Sequence, residues 1–277
     1  MAGEADFRVK FWGVRGSIAC PGPATLRYGG NTPCIEMRCG GCLIVFDAGT
    51  GLRALGNLLA KDGPVAGDLY LTHTHLDHIQ GLPFFAPAFH PDSRLRLWAG
   101  HLPPENNLCD VLRTMMQKPL FPVPIEIFRA KVEYNDFDIG VPLRPHSDVA
   151  VHTARLNHPD RATGYRVEYK GKVVCYVCDT GHVPGQPDPE ILKLIEGADI
   201  VIYDAMFTEE EFRARSSWGH STWNEGVRLC KAAGARQLVA FHHDPDHDDD
   251  MLDAIAAELA EALPGSVVAR EGMVLTP

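Results

Sequence analysis

A dense group of histidine and aspartate side chains lies in the segment Leu71–His78, which reads LTHTHLDH. Its four candidate metal ligands are His73, His75, Asp77 and His78. Imidazole nitrogens and carboxylate oxygens suit Zn²⁺ and similar divalent cations. One ion cannot take all four ligands from so short a stretch, whereas two ions about 3.5–4 Å apart can. The segment therefore predicts a two-metal centre. The alternative, a run of solvated loop residues, leaves the apolar strand before it unexplained.

Further ligands are available at three later points of the chain, each at the end of a predicted strand. His158 follows VAVHTARL, Asp179 follows KVVCYVC, and the pair His242-His243 follows QLVAF. Loops at strand ends can converge on one point, so these residues can complete the centre. Taken singly, Asp179 also fits an ordinary turn residue, and His243 is a rival of His242.

The elements that must position these side chains alternate between strand and helix. Apolar periodicity predicts strands over 7–14, 34–38, 42–47, 68–72, 94–99, 149–156, 164–169, 172–178, 199–204 and 237–242, and a strand region over 267–275. It predicts helices over 50–61, 105–117, 188–196, 222–233 and 249–263. Strands from both halves can form two sheets with helices outside, an α/β architecture. We expect a single domain over residues 1–277, with a Pro-rich insert at about 100–148 that covers the site or forms a homodimer contact.

Composition excludes several classes of function. The 277 residues are 45% hydrophobic and 22% charged, and 26 Lys and Arg against 36 Asp and Glu give a net charge of −10. An acidic surface disfavours long nucleic acid, whose binding needs many Lys and Arg contacts to phosphate. No stretch approaches the ~18 apolar residues of a membrane helix, and the start MAGEADFRVKFWG lacks the apolar segment of a secretory signal. We therefore expect a cytoplasmic protein with no membrane partner.

Cysteine usage leaves one alternative metal site. Cys39-Gly-Gly-Cys42 has the spacing of half a structural zinc site, and Cys20 and Cys34 are the nearby candidates for a second pair. The other interpretation is a hairpin turn through Gly40-Gly41, because glycine adopts the positive φ that such turns need.

The order HxHxDH, then His, Asp and His resembles the metallo-β-lactamase superfamily over essentially the whole chain. The resemblance implies a four-layered αβ/βα sandwich of two mixed sheets flanked by helices, with two divalent metal ions, Zn²⁺ or Mn²⁺. It implies one metal held by His73, His75 and His158, a second held by Asp77, His78 and His242, and Asp179 as the bridge. It also matches Asp47 in FDAGTG to an aspartate that supports the site without binding metal.

Two further motifs indicate a branch of that superfamily. Gly219-His220-Ser221-Thr222, preceded by Tyr203-Asp204-Ala205, resembles elements of tRNase Z and its phosphodiesterase relatives, with Asp204 in place of the usual Glu. An Asp rather than a Cys as the bridge suits oxygen-bound substrates. We assign His220, Asp204 and Asp77 to catalysis, although His220 alone would also fit a residue beside a helix cap.

The number of residues between two of the motifs indicates a small substrate. Asp179 lies only 21 positions after His158, which leaves no room for the tRNA-gripping arm of tRNase Z. The stretch FWGVRGSIACPGPATLRYGGNTPC resembles bacterial phosphodiesterases of small substrates. The predicted function is hydrolysis of a small cyclic phosphodiester, with a 3′,5′-cyclic nucleotide favoured, by a metal-bridged hydroxide that attacks phosphorus. Alternatives are a phosphoribosyl cyclic phosphate phosphodiesterase, a tRNase Z-like ribonuclease and, from another class, a lactone or thioester hydrolase.

Overall fold

The computed structural model describes residues 6–277. The predicted domain over residues 1–277 and the segment judged to lack a secretory signal both include residues 1–5, which lie outside the described range. The strands in the described part are β1 (Phe7–Gly13), β2 (Cys34–Cys39), β3 (Cys42–Phe46), β4 (Ala66–Leu71), β5 (Arg94–Ala99), β6 (Lys131–Asp136), β7 (Leu143–His146), β8 (Val149–Leu156), β9 (Ala162–Tyr169), β10 (Lys172–Val177), β11 (Ile200–Asp204), β12 (Gln237–Phe241), β13 (Val267–Val268) and β14 (Val274–Leu275). The α-helices are α1 (Gly51–Leu59), α2 (Leu76–Ile79), α3 (Leu108–Met115), α4 (Pro189–Ile195), α5 (Glu209–Arg215), α6 (Trp223–Ala233) and α7 (Asp249–Ala262).

The strands form two mixed sheets of seven strands each. The first has the order β14-β1-β2-β3-β4-β5-β6 and the second the order β13-β12-β11-β10-β9-β8-β7. In the first sheet β3 to β6 are parallel, and in the second β10 to β13 are parallel. The parallel strands of each sheet therefore end at one edge.

Three apolar layers hold the sheets and helices together. The layer between the sheets contains Phe11 and Phe46 from the first sheet and Tyr165, Tyr176 and Phe241 from the second. A second layer lies between the first sheet and α1 and α3, and a third between the second sheet and α4, α6 and α7. The predicted four-layered α/β sandwich is confirmed.

Local sequence explains the predicted elements. Leu52 and Leu55 are fully buried along one face of α1, as their spacing predicted. Asp248 caps α7 and accepts a hydrogen bond from the Met251 amide at 2.8 Å, so part of the acidic run at 244–250 serves helix capping. Within residues 6–277, no helix has the length and hydrophobicity that a membrane crossing requires.

The turn between β2 and β3 bears on the alternative zinc site. Cys39 and Cys42 are register partners in the hairpin, and Gly40 has a φ of 58°. Both thiols are free, and the groups of potential metal ligands found among the described residues contain His and Asp but no Cys. The hairpin interpretation is therefore the one that the structure supports.

Three features differ from the expectations. The short helices α2 and α5 were not predicted, because a helix of one or two turns leaves little periodicity in the sequence. The region 267–275 is divided, since β13 joins the second sheet and β14 the first. The segment at about 100–148, expected to be an insert, contains the predicted helix α3 and also supplies β6 and β7, which are the edge strands of the two sheets.

Candidate metal centre

The segment after β4 brings its three histidines together. The strand ends at Leu71, the chain stays irregular to His75, which is extended at the start of α2, and the helix then turns the chain back. The ring centroids of His73 and His75 lie 4.3 Å apart, and those of His73 and His78 also lie 4.3 Å apart. A strand end followed by one helical turn therefore concentrates the imidazoles at the sheet edge.

Asp179 follows β10 in the facing sheet, and its two carboxylate oxygens face different histidines. The Asp179 Oδ2 atom lies 3.6 Å from His73 Nε2 and 3.7 Å from His158 Nε2. Its Oδ1 atom lies 3.3 Å from His78 Nε2 and 3.2 Å from His242 Nε2. One carboxylate thus stands between two groups of ligand atoms, the arrangement that a bridging ligand needs.

Each side of Asp179 has its own set of potential ligands. On the first side, the Nδ1 atom of His75 lies 3.2 Å from His158 Nε2, with His73 completing the group. On the second side, Asp77 Oδ2 lies 3.3 Å from His78 Nε2 and 3.4 Å from His242 Nε2. The ligand atoms within each group lie within 4.8 Å of one another.

Four ring nitrogens at the centre lack hydrogen-bond partners in the described part of the chain. His73 Nε2, His78 Nε2 and both ring nitrogens of His242 are buried and without one. Buried polar atoms nearly always have a hydrogen-bond partner, so several unpartnered nitrogens at one point require an explanation. The donor set of His and Asp is the one that Zn²⁺ and Mn²⁺ accept, and two divalent cations would satisfy the three Nε2 atoms. The residues therefore fit the predicted pair of metals.

The charge states of three of the predicted ligands, His73, Asp179 and Asp77, suit metal binding as well. Burial, strengthened by the nearby His78, holds the pKa of His73 well below its ordinary value, so this imidazole keeps a free lone pair. Burial alone would raise the pKa of Asp179, but the imidazoles of His242 and His78 outweigh it and hold that pKa well below its usual range. Burial opposes ionisation of Asp77 too, yet the facing His78 lowers its pKa. Two ionised carboxylates thus meet a neutral His73.

Asp47 fixes the orientation of His78. Its Oδ2 atom accepts hydrogen bonds from His78 Nδ1 at 2.8 Å and from the Tyr176 hydroxyl at 2.7 Å, and its Oδ1 atom accepts one from the Thr72 amide at 2.8 Å. With the Nδ1 proton held by a carboxylate, Nε2 is the nitrogen of His78 that faces the centre and that would bind a cation in place of a proton. This is the supporting role that the family resemblance implied for Asp47.

His158 is held from outside the centre by the backbone. Its Nδ1 atom donates to the Gly219 carbonyl at 2.8 Å. Gly219 has a φ of 82°, and a Cβ there would lie 2.4 Å from Pro159 Cδ and 2.5 Å from His158 Nδ1. Glycine is therefore required at residue 219 for the loop before His220 to reach His158.

Three residues of the centre have left-handed backbone conformations. Asp47, Asp179 and His242 have φ values of 58°, 61° and 62°, and each follows a strand of the parallel region. Such conformations cost about 1–3 kcal/mol each outside glycine and cluster at functional sites. They turn the chain sharply at the sheet edge, which aims each side chain back across it.

His220 and Asp204 form a buried pair beside the centre. His220 Nδ1 lies 2.9 Å from Asp204 Oδ2 and 3.9 Å from Asp179 Oδ2, and its ring stacks on that of His242 with centroids 5.1 Å apart. Burial disfavours the charged imidazole, but the Asp204 carboxylate outweighs it and raises the pKa of His220 to about 9. Asp204 also accepts from the Thr180 and Met206 amides, so the pair is rigidly held.

The structure distinguishes the two rival histidines after β12. His242 faces Asp77 and Asp179, whereas His243 Nε2 donates to the Ala269 carbonyl at 2.8 Å. Burial lowers the pKa of His243 to about 3, so it remains a neutral hydrogen-bond donor in the interior. All nine predicted site residues converge at one edge of the sandwich; their assignment as ligands and catalytic groups remains a prediction.

Sequence reasoning missed several supporting residues. Tyr176 holds Asp47 from the facing sheet, Thr72 contacts Asp47 and His73, and the Ser17 amide donates to Asp77 Oδ2 at 2.8 Å. His101 lies 3.1 Å from the Thr74 hydroxyl through Nε2. Thr72 could have been suspected from its position in the segment, whereas the other contacts depend on the packing of distant strands and loops.

Comparisons with known proteins agree with this geometry. The family model described as "Beta-lactamase superfamily domain" matches residues 43–243. A ribonuclease Z of Haloarcula marismortui is 25% identical over 306 aligned positions, which cover 96% of this chain and 95% of that protein. The metallo-β-lactamase fold protein YhfI of Bacillus subtilis aligns with a TM-score of 0.73 and 20% identity, over 98% of this chain and 99% of that one. A diphosphatase of the PhnP family aligns with a TM-score of 0.71 and 19% identity, over 98% of each chain.

Proposed function

The chain belongs to the β-lactamase superfamily and is a metal-dependent hydrolase, and we propose that its substrate is a small cyclic phosphodiester. The observation that carries the proposal is the buried pair of His220 and Asp204 beside Asp179. A lactone or thioester hydrolase needs the cations but has no need of a second, separately oriented imidazole. Departure of an alkoxide from phosphorus does need a group that offsets its charge or protonates it.

Different residues of the chain would hold the two cations. His73, His75 and His158 would hold one divalent cation, and Asp77, His78 and His242 would hold the other, with Asp179 between them. When bound, such a pair of cations activates water and stabilises charge on a phosphoryl oxygen. Asp77 has a second task, because its Oδ2 atom also accepts from the Ser17 amide and so anchors the loop after β1 to the centre.

His220 is the group proposed to act on the departing oxygen. Asp204 binds its Nδ1 atom at 2.9 Å, which fixes the ring and leaves Nε2 as the nitrogen that can hold a proton for the leaving group. The stacking of His220 on His242 places this imidazole directly beside the ligand sets. General acid catalysis of this kind contributes typically ~10²–10⁴ in rate.

The small size of the substrate is supported by the chain between His158 and Asp179. These residues form β9 and β10, a continuous antiparallel pair that turns at Lys170-Gly171. The pair belongs to the sheet, so no arm for gripping a large nucleic acid projects there. We retain a 3′,5′-cyclic nucleotide as the favoured substrate and a phosphoribosyl cyclic phosphate as the alternative.

A second candidate, ribonuclease Z activity, is favoured by the relative from Haloarcula marismortui, which is similar over nearly its whole length. The alignment runs over 306 positions for a chain of 277 residues, so that relative contains residues with no counterpart here. The net charge of −10 also disfavours a transfer RNA as substrate. These observations rank the small phosphodiester first.

A substrate panel separates the candidates. The protein is loaded with Zn²⁺ or Mn²⁺ and given 3′,5′- and 2′,3′-cyclic nucleotides, phosphoribosyl cyclic phosphate, a precursor tRNA and a lactone. We expect metal-dependent hydrolysis of a cyclic phosphodiester and no cleavage of the precursor tRNA. The proposal would be overturned if the lactone were hydrolysed faster than every cyclic phosphodiester. It would also be overturned if the precursor tRNA were cleaved endonucleolytically at a lower protein concentration than hydrolysis of a cyclic phosphodiester requires. His220→Ala is the control, since it removes hydrolysis that depends on this site but leaves a contaminating phosphodiesterase unchanged.

A further inference from the structure

Trp218 has an exposed indole and lies two positions before His220. The residue is 58% exposed, whereas Trp12 and Trp98 are partly buried and Trp223 is buried. Single exposed apolar side chains are common on protein surfaces, so the significance of this indole depends on where it lies.

The backbone keeps Trp218 close to the centre. The next residue, Gly219, accepts a hydrogen bond at its carbonyl from Nδ1 of His158 at 2.8 Å, and His220 Nδ1 lies 3.9 Å from Asp179 Oδ2. Two steps of extended chain span about 7 Å at most, so the Cα atom of Trp218 lies within that distance of the His220 Cα atom. The exposed indole therefore belongs to the rim of the centre, on the side of His220.

Two side chains support the indole from within the protein. The Cζ atom of Arg215 lies 5.5 Å from the centroid of the Trp218 ring and 5.3 Å from that of Phe207. The ring of Phe207 makes T-shaped contacts with Trp218, at a centroid distance of 6.2 Å, and with His220, at 5.9 Å. Phe207 is fully buried, so it links the exposed indole to the buried imidazole. A ring that is already held in place loses little conformational entropy when a ligand packs on it.

The chemistry of a cyclic phosphodiester places the sugar of the substrate beside His220. Both ester oxygens of such a ring belong to the sugar, so the oxygen that leaves phosphorus stays attached to the sugar. Because His220 is the group proposed to act on that oxygen, the sugar and its substituents must lie on the His220 side of the centre. This is the side on which Trp218 is exposed. A nucleobase has a π face that stacks on an aromatic side chain whatever polar groups the base carries.

We infer that Trp218 is the surface on which the nucleobase of the substrate stacks. The inference rests on the proposed function and narrows it to nucleoside cyclic phosphates, because a phosphoribosyl cyclic phosphate has no base for the indole to bind. Trp218 is then a specificity-determining residue, since it contacts a part of the substrate that does not react.

The test compares a cyclic nucleotide with the same ester lacking its base. KM and kcat are measured for adenosine 3′,5′-cyclic phosphate and for 1,4-anhydroribitol 3,5-cyclic phosphate, in which hydrogen replaces the base. Loss of base stacking predicts that Trp218→Leu raises KM for the nucleotide about 5- to 100-fold and leaves kcat nearly unchanged. Both constants for the base-free ester should stay nearly unchanged in this variant.

Two further variants serve as controls. Trp218→Phe keeps an aromatic face and should recover most of the lost affinity for the nucleotide. Trp12→Leu should change neither KM, because that indole packs on the α1 side of the first sheet and donates to Glu36 Oε2 at 2.9 Å. If Trp218 only supported the position of His220, Trp218→Leu would slow both esters equally, and that result would overturn the inference.

A binding measurement keeps the inference independent of turnover. Adenosine 5′-monophosphate and 1,4-anhydroribitol 5-phosphate are titrated calorimetrically into the zinc-loaded protein and into the Trp218→Leu variant. Tighter binding of the nucleotide that is lost in the variant supports the inference even if no cyclic ester is hydrolysed, a result that would defeat only the proposed function. Equal affinity of the wild-type protein for the two compounds, or an undiminished preference for the nucleotide in the variant, would overturn the inference.

Discussion

Replacing Asp47 by asparagine should release one of the two cations while leaving the fold in place. The side chain keeps its size, but one carboxylate oxygen becomes an amide NH₂. The Oδ1 atom accepts from the Thr72 backbone amide, which can only donate, so the asparagine oxygen must take that position. The NH₂ then replaces Oδ2, 2.8 Å from His78 Nδ1 and 2.7 Å from the Tyr176 hydroxyl.

The consequence is a change of tautomer at His78. Its Nδ1 atom must now accept a hydrogen bond, so the ring proton moves to Nε2, which lies 3.3 Å from both Asp77 Oδ2 and Asp179 Oδ1. A protonated nitrogen has no lone pair for a cation. Loss of such supporting groups weakens metal binding by about 10–100-fold, and we expect the upper end, which corresponds to ~2.7 kcal/mol, because the ligand atom itself is blocked.

Zinc affinity is measured by competition with a chromogenic chelator, and zinc content by elemental analysis after dialysis. We expect the Asp47→Asn protein to retain one tight cation per chain and bind the other about 100-fold more weakly. Tyr176→Phe is the matched control, because it removes a donor to Asp47 yet leaves the His78 contact. It should lower the free energy of unfolding by about 1.5–3 kcal/mol with little effect on zinc binding. Two cations bound to Asp47→Asn with unchanged affinity would refute the reasoning.

The remaining predictions concern catalysis, stability and acid sensitivity. His220→Ala should keep both cations but lower kcat about 10²–10⁴-fold; normal turnover in that variant would remove His220 from the mechanism. Zinc at 100 times its dissociation constant should stabilise the protein by about 2.7 kcal/mol in urea titrations, and Asp179→Ala should abolish most of this gain. His101 stays neutral in the fold because burial lowers its pKa to about 4. Since the unfolded chain takes up that proton near pH 6.5, stability is complete above pH 6.5 and is lost as the pH falls towards 4, by about 2–3 kcal/mol between pH 7 and 4.5. His101→Asn should remove this part of the loss of stability in acid. If the free energy of unfolding depended on pH equally in the wild-type protein and the variant, the prediction would be contradicted.

The local sequence was sufficient to predict site residues that lie together in one segment. It was also sufficient to predict elements in which apolar periodicity extends over many residues. The histidines of Leu71–His78 could be identified because the segment places all three within six positions after a buried strand. The fold class followed from alternating strands and helices, together with the family resemblance. The positions of His158, Asp179 and His242 followed because each ends a strand, and parallel strands end at a common edge.

Other features depend on packing between distant segments and left no signal in the sequence. Tyr176 reaches Asp47 only because the two sheets face each other. The ring centroids of Phe46 in one sheet and Tyr176 in the other lie 5.7 Å apart. The choice of His242 over His243 came from the family resemblance and not from the local pattern, because both follow the same strand.

The number and position of bound metal ions test the central claim most directly. Crystals of the zinc-loaded protein, measured on both sides of the zinc absorption edge, should show two anomalous peaks, one on each side of the Asp179 carboxylate. Elemental analysis of the same preparation should give two zinc ions per chain. A single peak, or peaks away from His73, Asp77 and Asp179, would contradict the account.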